Sequence, residues 1–166
     1  SIGVDQSAFL PGRRIGDGVA LTQLVPAMLS VQDLPGAAVL LDIAKAYDTV
    51  DRVFLRQAMA AHGASASMLN WVELLLTDTR ASAMLHGHIS PVLYLFVAEA
   101  LACWLRQSPT LGVTLAGRRY VSSHFADDTK VFLASLDAES VATLLAHLTT
   151  FEEASGQAVH PGKSKA

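Results

Sequence analysis

Residues 122–133 read Ser-Ser-His-Phe-Ala-Asp-Asp-Thr-Lys-Val-Phe-Leu and place two adjacent carboxylates, Asp127 and Asp128, between apolar segments. Those segments, residues 120–121 and 131–133, predict a β-hairpin with an acidic turn. Two ionised carboxylates side by side repel each other, so a tight turn built from them indicates a cation between them. A solvated Asp-Asp turn is the alternative, because Asp favours turns by bonding its own backbone.

A third carboxylate follows an apolar run further upstream. Residues 37–41, Ala-Ala-Val-Leu-Leu, are short enough for a buried strand that ends at Asp42. If that strand is a neighbour of the hairpin, Asp42 meets Asp127 and Asp128. Three aspartates offer the oxygen ligands that Mg²⁺ prefers. Two such ions about 3.5–4 Å apart recur in polymerases and nucleases.

Four motifs, in order along the chain, resemble those of reverse transcriptases. Residues 42–48, Asp-Ile-Ala-Lys-Ala-Tyr-Asp, resemble the first catalytic motif, in the form typical of the non-LTR retrotransposon (LINE-like) branch, and residues 125–128 resemble the aromatic-x-Asp-Asp motif. Residues 6–13 resemble the Gln-x-Gly-Phe-x-x-Gly-Arg segment, with Ala8 where the family usually has Gly. Residues 155–164 resemble the Ser-Gly-Leu-x-x-Asn-x-x-Lys-Ser motif, with His160 in place of Asn.

The resemblance implies an α+β fold, a polymerase palm whose antiparallel sheet is backed by helices, with a fragment of the fingers. Residues 1–166 would be a single reverse transcriptase palm domain, in which residues 1–36 connect fingers to palm and residues 37–166 form the palm core. The implied reaction adds dNTPs to a DNA primer 3′-hydroxyl on an RNA template. Asp42 and Asp127 would hold two Mg²⁺ ions, for which Mn²⁺ can substitute, and Asp128 would support them.

The resemblance also implies substrate-binding residues. Tyr47 occupies the position of the steric gate that crowds a ribose 2′-hydroxyl; a core aromatic is the alternative. Arg13 and Arg14 would contact phosphates, as adjacent guanidiniums suit, unless they are a solvated loop pair. Lys163 would protonate or neutralise the leaving pyrophosphate, unless it is a surface lysine near a fraying terminus.

Composition limits the class of protein and its partners. The chain of 166 residues is 51% hydrophobic and 16% charged, which excludes disorder for most of it. Its net charge is −3, and removing three aspartates leaves −3 + 3 = 0, so the sequence offers no general basic field for nucleic acid. No run approaches the roughly 20 apolar residues of a membrane span, and no secretion signal is visible. We therefore expect an intracellular protein, in cytoplasm or nucleus, without a membrane partner.

Cysteine and histidine usage gives little sign of another metal. The single Cys103 excludes an internal disulfide and a Cys-rich zinc site, and a small buried thiol is its expected role. His86 and His88 share one face of a predicted strand, but no third ligand is near them in the sequence.

Several features of the family's pattern are missing. The chain begins at Ser1 and stops after Lys165-Ala166, so we expect a piece of a larger retroelement polyprotein, without the upstream fingers strands and the thumb. The Gln-Gly template loop before Ser90 is deleted, or His86-Gly87 stands in for it. The alternative function is therefore a catalytically inactive retroelement remnant with weak nucleic-acid or metal binding. A metal-dependent nuclease is a further alternative, with Lys45 as its one candidate for activating water.

The remaining pattern predicts elements that fit an α+β domain. Apolar spacing and terminators predict helices over Val19–Ser30 with Asp17 as cap, Val50–His62, Ser65–Thr77 with Leu75 inward, Pro91–Gln107, and Asp137–Ser155 with Leu145 inward. Thr79–Leu85 is predicted as a strand, and a short hairpin is predicted to turn at Ala116-Gly117. Lys45 and Asp48 are interpreted as a structural pair at a helix start.

Overall fold

The computed structural model describes residue 12, residues 14–77, residues 91–160 and residue 164. Within these ranges the helices are α1 (Ile15–Val31), α2 (Arg52–Ala61), α3 (Ala66–Thr77), α4 (Pro91–Gln107) and α5 (Ala138–Ser155). The strands are β1 (Ala37–Leu41), β2 (Val113–Leu115), β3 (Arg118–Tyr120), β4 (Ser122–Phe125) and β5 (Asp128–Leu133). The predicted α+β class is confirmed. The predicted strand Thr79–Leu85, His86, His88 and the gap near Ser90 lie outside the described residues.

A three-stranded antiparallel sheet forms the centre of the fold, in the order β1-β5-β4. The apolar run predicted as a buried strand is β1, with the predicted bounds, but only Leu41 is fully buried and residues 37–40 are half-buried. Its register against β5 runs from Ala37 opposite Leu133 to Leu41 opposite Thr129. A separate two-stranded hairpin, β2-β3, turns at residues 116–117 as predicted.

Both faces of the central sheet are covered. Val131 and Leu133 of β5 belong to a core cluster shared with α2, α4 and α5. Phe132 points the other way and packs with Val25 and Leu29 of α1. Each such side chain, when fully buried, stabilises the fold by about 1.5–3 kcal/mol relative to its exposed state. Because successive strand residues face opposite layers, burial on both sides requires an unbroken apolar run rather than an alternating one.

Helix α4 has the predicted bounds, Pro91 to Gln107. Proline suits the first turn, where its missing N–H would have no partner in the helix. The guanidinium of Arg119 on β3 lies at the other end of the helix, where it donates to the carbonyl oxygens of Arg106 and Ser108 at 2.5 and 3.0 Å. A cation at a helix C-terminus satisfies carbonyls that the helix itself leaves unpaired. This contact fixes the short hairpin to α4.

The predicted ends of helix α5, with Asp137 as the cap and Gly156 after the last turn, are confirmed. The Asp137 carboxylate accepts from the backbone N–H of Ser140 at 2.7 Å, and Gly156 ends the helix with a φ of 71°. The prediction that Leu145 faces inward is wrong, because it is 57% exposed. Leu144 and Leu148 occupy the buried stripe instead, and Leu145 lies about 100° around the helix from Leu144.

The prediction for helix α3 is wrong in the same way, since the residue next to the predicted one is buried. Leu69 and Leu76 are buried on one stripe, whereas Leu75, predicted to face inward, is 40% exposed. Residues seven apart return to nearly the same side of a helix, whereas neighbours do not.

Two helix starts differ from the prediction. Helix α1 begins at Ile15, so Asp17 lies inside the helix rather than at its cap. Helix α2 begins at Arg52, and its cap is Asp51, whose carboxylate accepts from the N–H of Phe54 at 2.8 Å. Capping by Asp satisfies one of the four N–H groups that a helix start leaves unpaired.

Lys45 and Asp48, which were interpreted as a structural pair at a helix start, lie in a turn instead. Lys45 has a φ of 49°, and its carbonyl accepts from the N–H of Asp48 at 2.8 Å. The backbone therefore reverses between β1 and α2 without forming a helix at this point.

Candidate functional site

The three predicted metal-binding aspartates lie at one end of the central sheet. Asp42 directly follows Leu41, whose partner on β5 is Thr129, and Asp128 directly precedes Thr129. Asp127 belongs to the turn that joins β4 to β5. Strand pairing therefore brings residues from distant parts of the chain to the same end of the sheet. Asp42 and Asp127 are half-buried, and Asp128 is exposed.

The hairpin turn that carries Asp127 is tight and strained. Phe125 pairs with Asp128, so Ala126 and Asp127 are the two turn residues. Ala126 has a φ of 55°, a conformation that costs a non-glycine residue on the order of 1–2 kcal/mol. Its side chain is buried against Leu95 and Phe125. Packing of Ala126 thus holds the turn in a conformation that fixes the position of Asp127.

Tyr47 lies beside this turn and contacts Asp127. Its phenolic hydroxyl donates to Oδ1 of Asp127 at 2.9 Å. Its ring lies 5.1 Å from that of Tyr94 between centroids. Burial, the hydrogen bond to Asp127 and the charges of Asp127 and Asp128 raise the pKa of Tyr47. Tyr47 therefore stays protonated at neutral pH and acts as a donor to the carboxylate.

The backbone after Asp42 is held by the segment that follows α5. Ile43 forms a β-bridge with Val159, and the N–H of Ala44 donates to the carbonyl of Ala158 at 2.8 Å. The N–H of His160 donates to the carbonyl of Asp42 at 2.7 Å. Residues 158–160, which belong to the motif at residues 155–164, thus pair with the backbone of residues 42–44 in the first catalytic motif.

A buried amide completes this attachment. Gln157 donates from Nε2 to the carbonyl of Ala46 at 3.1 Å and to the hydroxyl of Thr49 at 2.9 Å. Its Oε1 accepts from the hydroxyl of Tyr94 at 3.0 Å. The turn that carries Tyr47 is therefore bonded to α5 and α4 as well as to the hairpin.

The predicted phosphate contacts are only partly within the described residues. Arg14 is exposed and directly precedes α1, whereas Arg13 and Lys163 lie outside the described residues. Ser164, the neighbour of Lys163, is described, and its Oγ lies 3.4 Å from the backbone nitrogen of Asp42, which donates to it.

A surface cavity of about 410 Å³ adjoins Asp128. It lies between α1 and the sheet, and its lining residues are Gly18, Val19, Thr22, Leu40, Ser123, Phe125, Asp128 and Lys130. Hydroxyls and one lysine ammonium suit the phosphates of a nucleic-acid strand. A second cavity of about 430 Å³ lies between α2 and α3, and none of the three aspartates lines it.

A second group of metal-ligating side chains was missed by the sequence reasoning. His62, Glu99 and Cys103 bring their ligand atoms within 4.8 Å of one another, and this group could hold a metal ion. The one sequence signal is that Glu99 and Cys103 are four apart on α4 and so share a face. His62 comes from the end of α2, and only the packing of α2 on α4 brings it to them. Burial raises the pKa of the Cys103 thiol, and the neighbouring Arg106 opposes that shift.

His124, in the hairpin motif, is a structural residue. It is 1% exposed, and its ring nitrogens lie 3.0 Å from the hydroxyl of Thr129 and 2.8 Å from that of Ser122. Burial lowers the pKa of His124 to about 4. The ring is therefore neutral at pH 7 and cross-links β4 to β5.

Comparison with known proteins gives no family assignment. No protein-family model matches the chain, and a search of curated proteins gives no match. None of the helices in the described ranges is both long and apolar enough to cross a membrane. The family that the four motifs resemble therefore stays a prediction.

Proposed function

We propose that this chain is a palm domain of an RNA-directed DNA polymerase of the non-LTR retrotransposon type. The observation that carries the proposal is the position of Asp42, Asp127 and Asp128 at one end of an antiparallel sheet. Two of these residues come from a tight hairpin and one from the end of the neighbouring strand. A polymerase needs such a group of carboxylates beside an accessible groove.

The three aspartates offer the type of ligand that the Mg²⁺ ions of the proposed reaction require. They offer oxygen atoms alone, which hard cations prefer. Oδ1 of Asp127 accepts a hydrogen bond from Tyr47, which orients this carboxyl group. Asp42 and Asp127 would hold both ions and Asp128 would support them. When bound, the ions would lower the pKa of the primer 3′-hydroxyl and neutralise charge on the pyrophosphate.

The chain's own residues position the reactants. Tyr47 orients Asp127 through its hydroxyl, and its ring is proposed to exclude a ribose 2′-hydroxyl. Lys130 and the hydroxyls of Thr22 and Ser123 line the groove beside Asp128, where a primer or template backbone is proposed to lie. Phosphoryl transfer depends on positioning and charge stabilisation, so loss of any one aspartate removes most of the rate.

The proposed partners follow from this reaction. They are an RNA template, a DNA primer and dNTPs, together with the rest of a retroelement polyprotein that supplies fingers and thumb. Residues 1–36 would then form the connection to the fingers and residues 37–166 the palm core. The proposed compartment is the cytoplasm or nucleus.

Primer extension on an RNA template tests the proposal. The full chain is incubated with a DNA primer, dNTPs and either Mg²⁺ or Mn²⁺, beside its Asp127→Asn variant. We expect extension by the unmodified chain and its loss in Asp127→Asn. Asp33→Asn is the matched control, because Asp33 is exposed at the opposite end of β1 and its φ of 53° suits Asn.

Mg²⁺ binding to the folded chain is the second readout, since it does not need fingers or thumb. Mg²⁺ should raise the melting temperature of the unmodified chain and of Asp33→Asn but not of Asp127→Asn. Extension by none of the three proteins overturns the polymerase activity of this chain. If Mg²⁺ binding at Asp127 persists in that case, the chain is an inactive retroelement remnant that still binds metal.

A further inference from the structure

The residues His62, Glu99 and Cys103 form a compact group away from the three aspartates. Their ligand atoms lie within 4.8 Å of one another. A nitrogen, a sulfur and a carboxylate oxygen are the donors of zinc sites, with bond lengths that place ligand atoms roughly 3–4 Å apart. Small side-chain rotations therefore suffice to bring the three donors around one ion.

The hydrogen bond of His62 uses Nδ1 and so leaves Nε2 as its ligand atom for a metal ion. Its Nδ1 lies 2.7 Å from the carbonyl oxygen of Ala58, which can only accept, so Nδ1 carries the proton. In this tautomer the lone pair is on Nε2. Metal-ligating histidines commonly donate their other N–H to a carbonyl, which fixes the tautomer and the ring orientation. An edge-to-face contact with Phe96, at 5.9 Å between ring centroids, orients the ring further.

Glu99 carries the strongest sign of a missing partner. The residue is 2% exposed, and its Oε2 is buried without a hydrogen-bond partner among the described residues. Its other oxygen, Oε1, accepts from Arg106 at 2.7 Å and from the thiol of Cys103 at 3.4 Å. An unpaired buried carboxylate oxygen costs more free energy than a hydrogen-bonded one, so it calls for a cation or water.

We propose that His62 Nε2, Glu99 Oε2 and Cys103 Sγ bind one Zn²⁺-class ion that clamps the end of α2 to α4. Three protein ligands leave a fourth position for water. His62 and Cys103 are half-buried, which gives the ion a route of entry. Arg106 donates to Oε1 of Glu99 at 2.7 Å and to Sγ of Cys103 at 3.1 Å, and it orients both ligands from outside the coordination shell. Binding releases the thiol proton to solvent, because the thiolate is the ligand.

Co²⁺ titration of the full chain tests this site, since thiolate-bound Co²⁺ has a charge-transfer absorption that Zn²⁺ lacks. We expect one Co²⁺ per chain with that absorption, its displacement by Zn²⁺, and a rise in melting temperature on Zn²⁺ addition. Cys103→Ser should lose the charge-transfer absorption. His62→Gln should weaken binding by about tenfold or more, which is the scale of metal-site perturbations.

His147→Gln is the matched control. His147 also bonds a helical carbonyl through Nδ1, to Thr143 at 2.9 Å, and packs on an aromatic ring, that of Trp104. Its substitution should leave the thiolate absorption of bound Co²⁺ unchanged, and because the proposed Mg²⁺ site contains no thiol, this absorption separates the two sites. Absence of the thiolate absorption in the folded unmodified chain overturns the proposal, as does equal binding by His62→Gln and His147→Gln. If the variants do not fold, Zn²⁺ protection of Cys103 from a thiol reagent in the unmodified chain decides.

Discussion

The hydroxyl of Tyr47 donates to Oδ1 of Asp127 across 2.9 Å, joining residues that are 80 positions apart in the chain. One lies in the turn after β1 and the other in the turn between β4 and β5. The bond therefore connects the two motifs that strand pairing brings to the same end of the sheet. It keeps Tyr47 protonated and fixes the orientation of one carboxylate of the candidate site.

Removing this hydroxyl should uncouple the two turns. Tyr47→Phe keeps the ring packing but deletes the hydrogen bond to Asp127, and we expect the free energy of unfolding to fall by about 1 kcal/mol. Denaturant unfolding of Tyr47→Phe, Asp127→Ala and the double variant measures the coupling energy directly, because alanine cannot accept the hydrogen bond. A coupling energy of zero would mean that the bond contributes nothing to stability.

Removing the ring of Tyr47 tests its proposed role in sugar selection. Tyr47→Ala should extend a primer with ribonucleotides more readily relative to dNTPs, because nothing would then crowd the 2′-hydroxyl. Tyr47→Phe should keep the selectivity of the unmodified chain. Equal selectivity in all three proteins, measured by single-nucleotide extension, would remove the gate role.

His124 should make the free energy of unfolding depend on pH below about 6.5. Its pKa falls from an ordinary 6.5 to about 4, mainly through burial, with Arg106 lowering it further and Glu99 opposing. The unfolded chain therefore binds a proton that the folded chain does not between pH 6.5 and 4. Stability from this residue is complete above pH 6.5 and declines by roughly 3 kcal/mol as the pH falls to 4.

Urea unfolding at several pH values checks this decline. His124→Gln keeps hydrogen-bonding capacity but does not titrate, so its free energy of unfolding should fall less between pH 6.5 and 4. An identical pH dependence in both proteins would show that His124 is not responsible.

Much of the fold was predictable because local chemistry marks the ends of its elements. Strand β1 is an apolar run between Gly36 and Asp42, and α4 starts at a proline. Helix α5 begins after a capping Asp137 and stops at Gly156. These signals act over one turn or one strand, so they are visible without knowledge of the partner elements.

Features that depend on tertiary packing were not predictable in this way. The turn after Asp42 is held by hydrogen bonds to residues 155–160, and no local pattern specifies that partner. Leu145 shares its apolar character with Leu144, and only the docking of α5 decides which is buried. The group of His62, Glu99 and Cys103 exists only because α2 packs on α4. The three aspartates were grouped from local pattern, because Asp42 ends an apolar run and Asp127 and Asp128 lie between the two apolar segments of a hairpin.

Gly156 should be hard to replace, and Gly63 provides the matched comparison. Both follow the end of a helix with positive φ, 71° and 88°. A Cβ on Gly156 would lie 2.7 Å from the carbonyl oxygen of Thr49, whereas a Cβ on Gly63 meets nothing within 4 Å. Gly63→Ala should cost about 1 kcal/mol from backbone strain alone.

Gly156→Ala should cost roughly 3 kcal/mol or more, since the clash with the Thr49 backbone adds to the strain. Chemical denaturation of both variants measures the difference. Equal losses would show that the turn containing Thr49 moves away at little cost, and that the close approach of the two segments does not constrain the site.

Gln157 should be the most sensitive polar residue holding the turn that contains Tyr47. Its amide is 3% exposed and bonds the hydroxyls of Tyr94 and Thr49 and the carbonyl of Ala46. Gln157→Leu has nearly the same size but removes this hydrogen-bond partner from the buried Tyr94 hydroxyl and from the carbonyl of the buried residue Ala46. Because unpaired buried groups cost about 1–3 kcal/mol each, we expect a loss of roughly 2–4 kcal/mol in the free energy of unfolding.

The same substitution at an exposed position controls for the change in side-chain type. Gln107 is exposed at the end of α4, and Gln107→Leu should change stability by no more than about 0.5 kcal/mol. If Gln157→Leu also loosens the turn, the hydrogen bond from Tyr47 to Asp127 should weaken with it, and primer extension should fall more than stability alone predicts. A variant that loses stability but keeps full extension would show that the amide supports the fold and not the position of Tyr47.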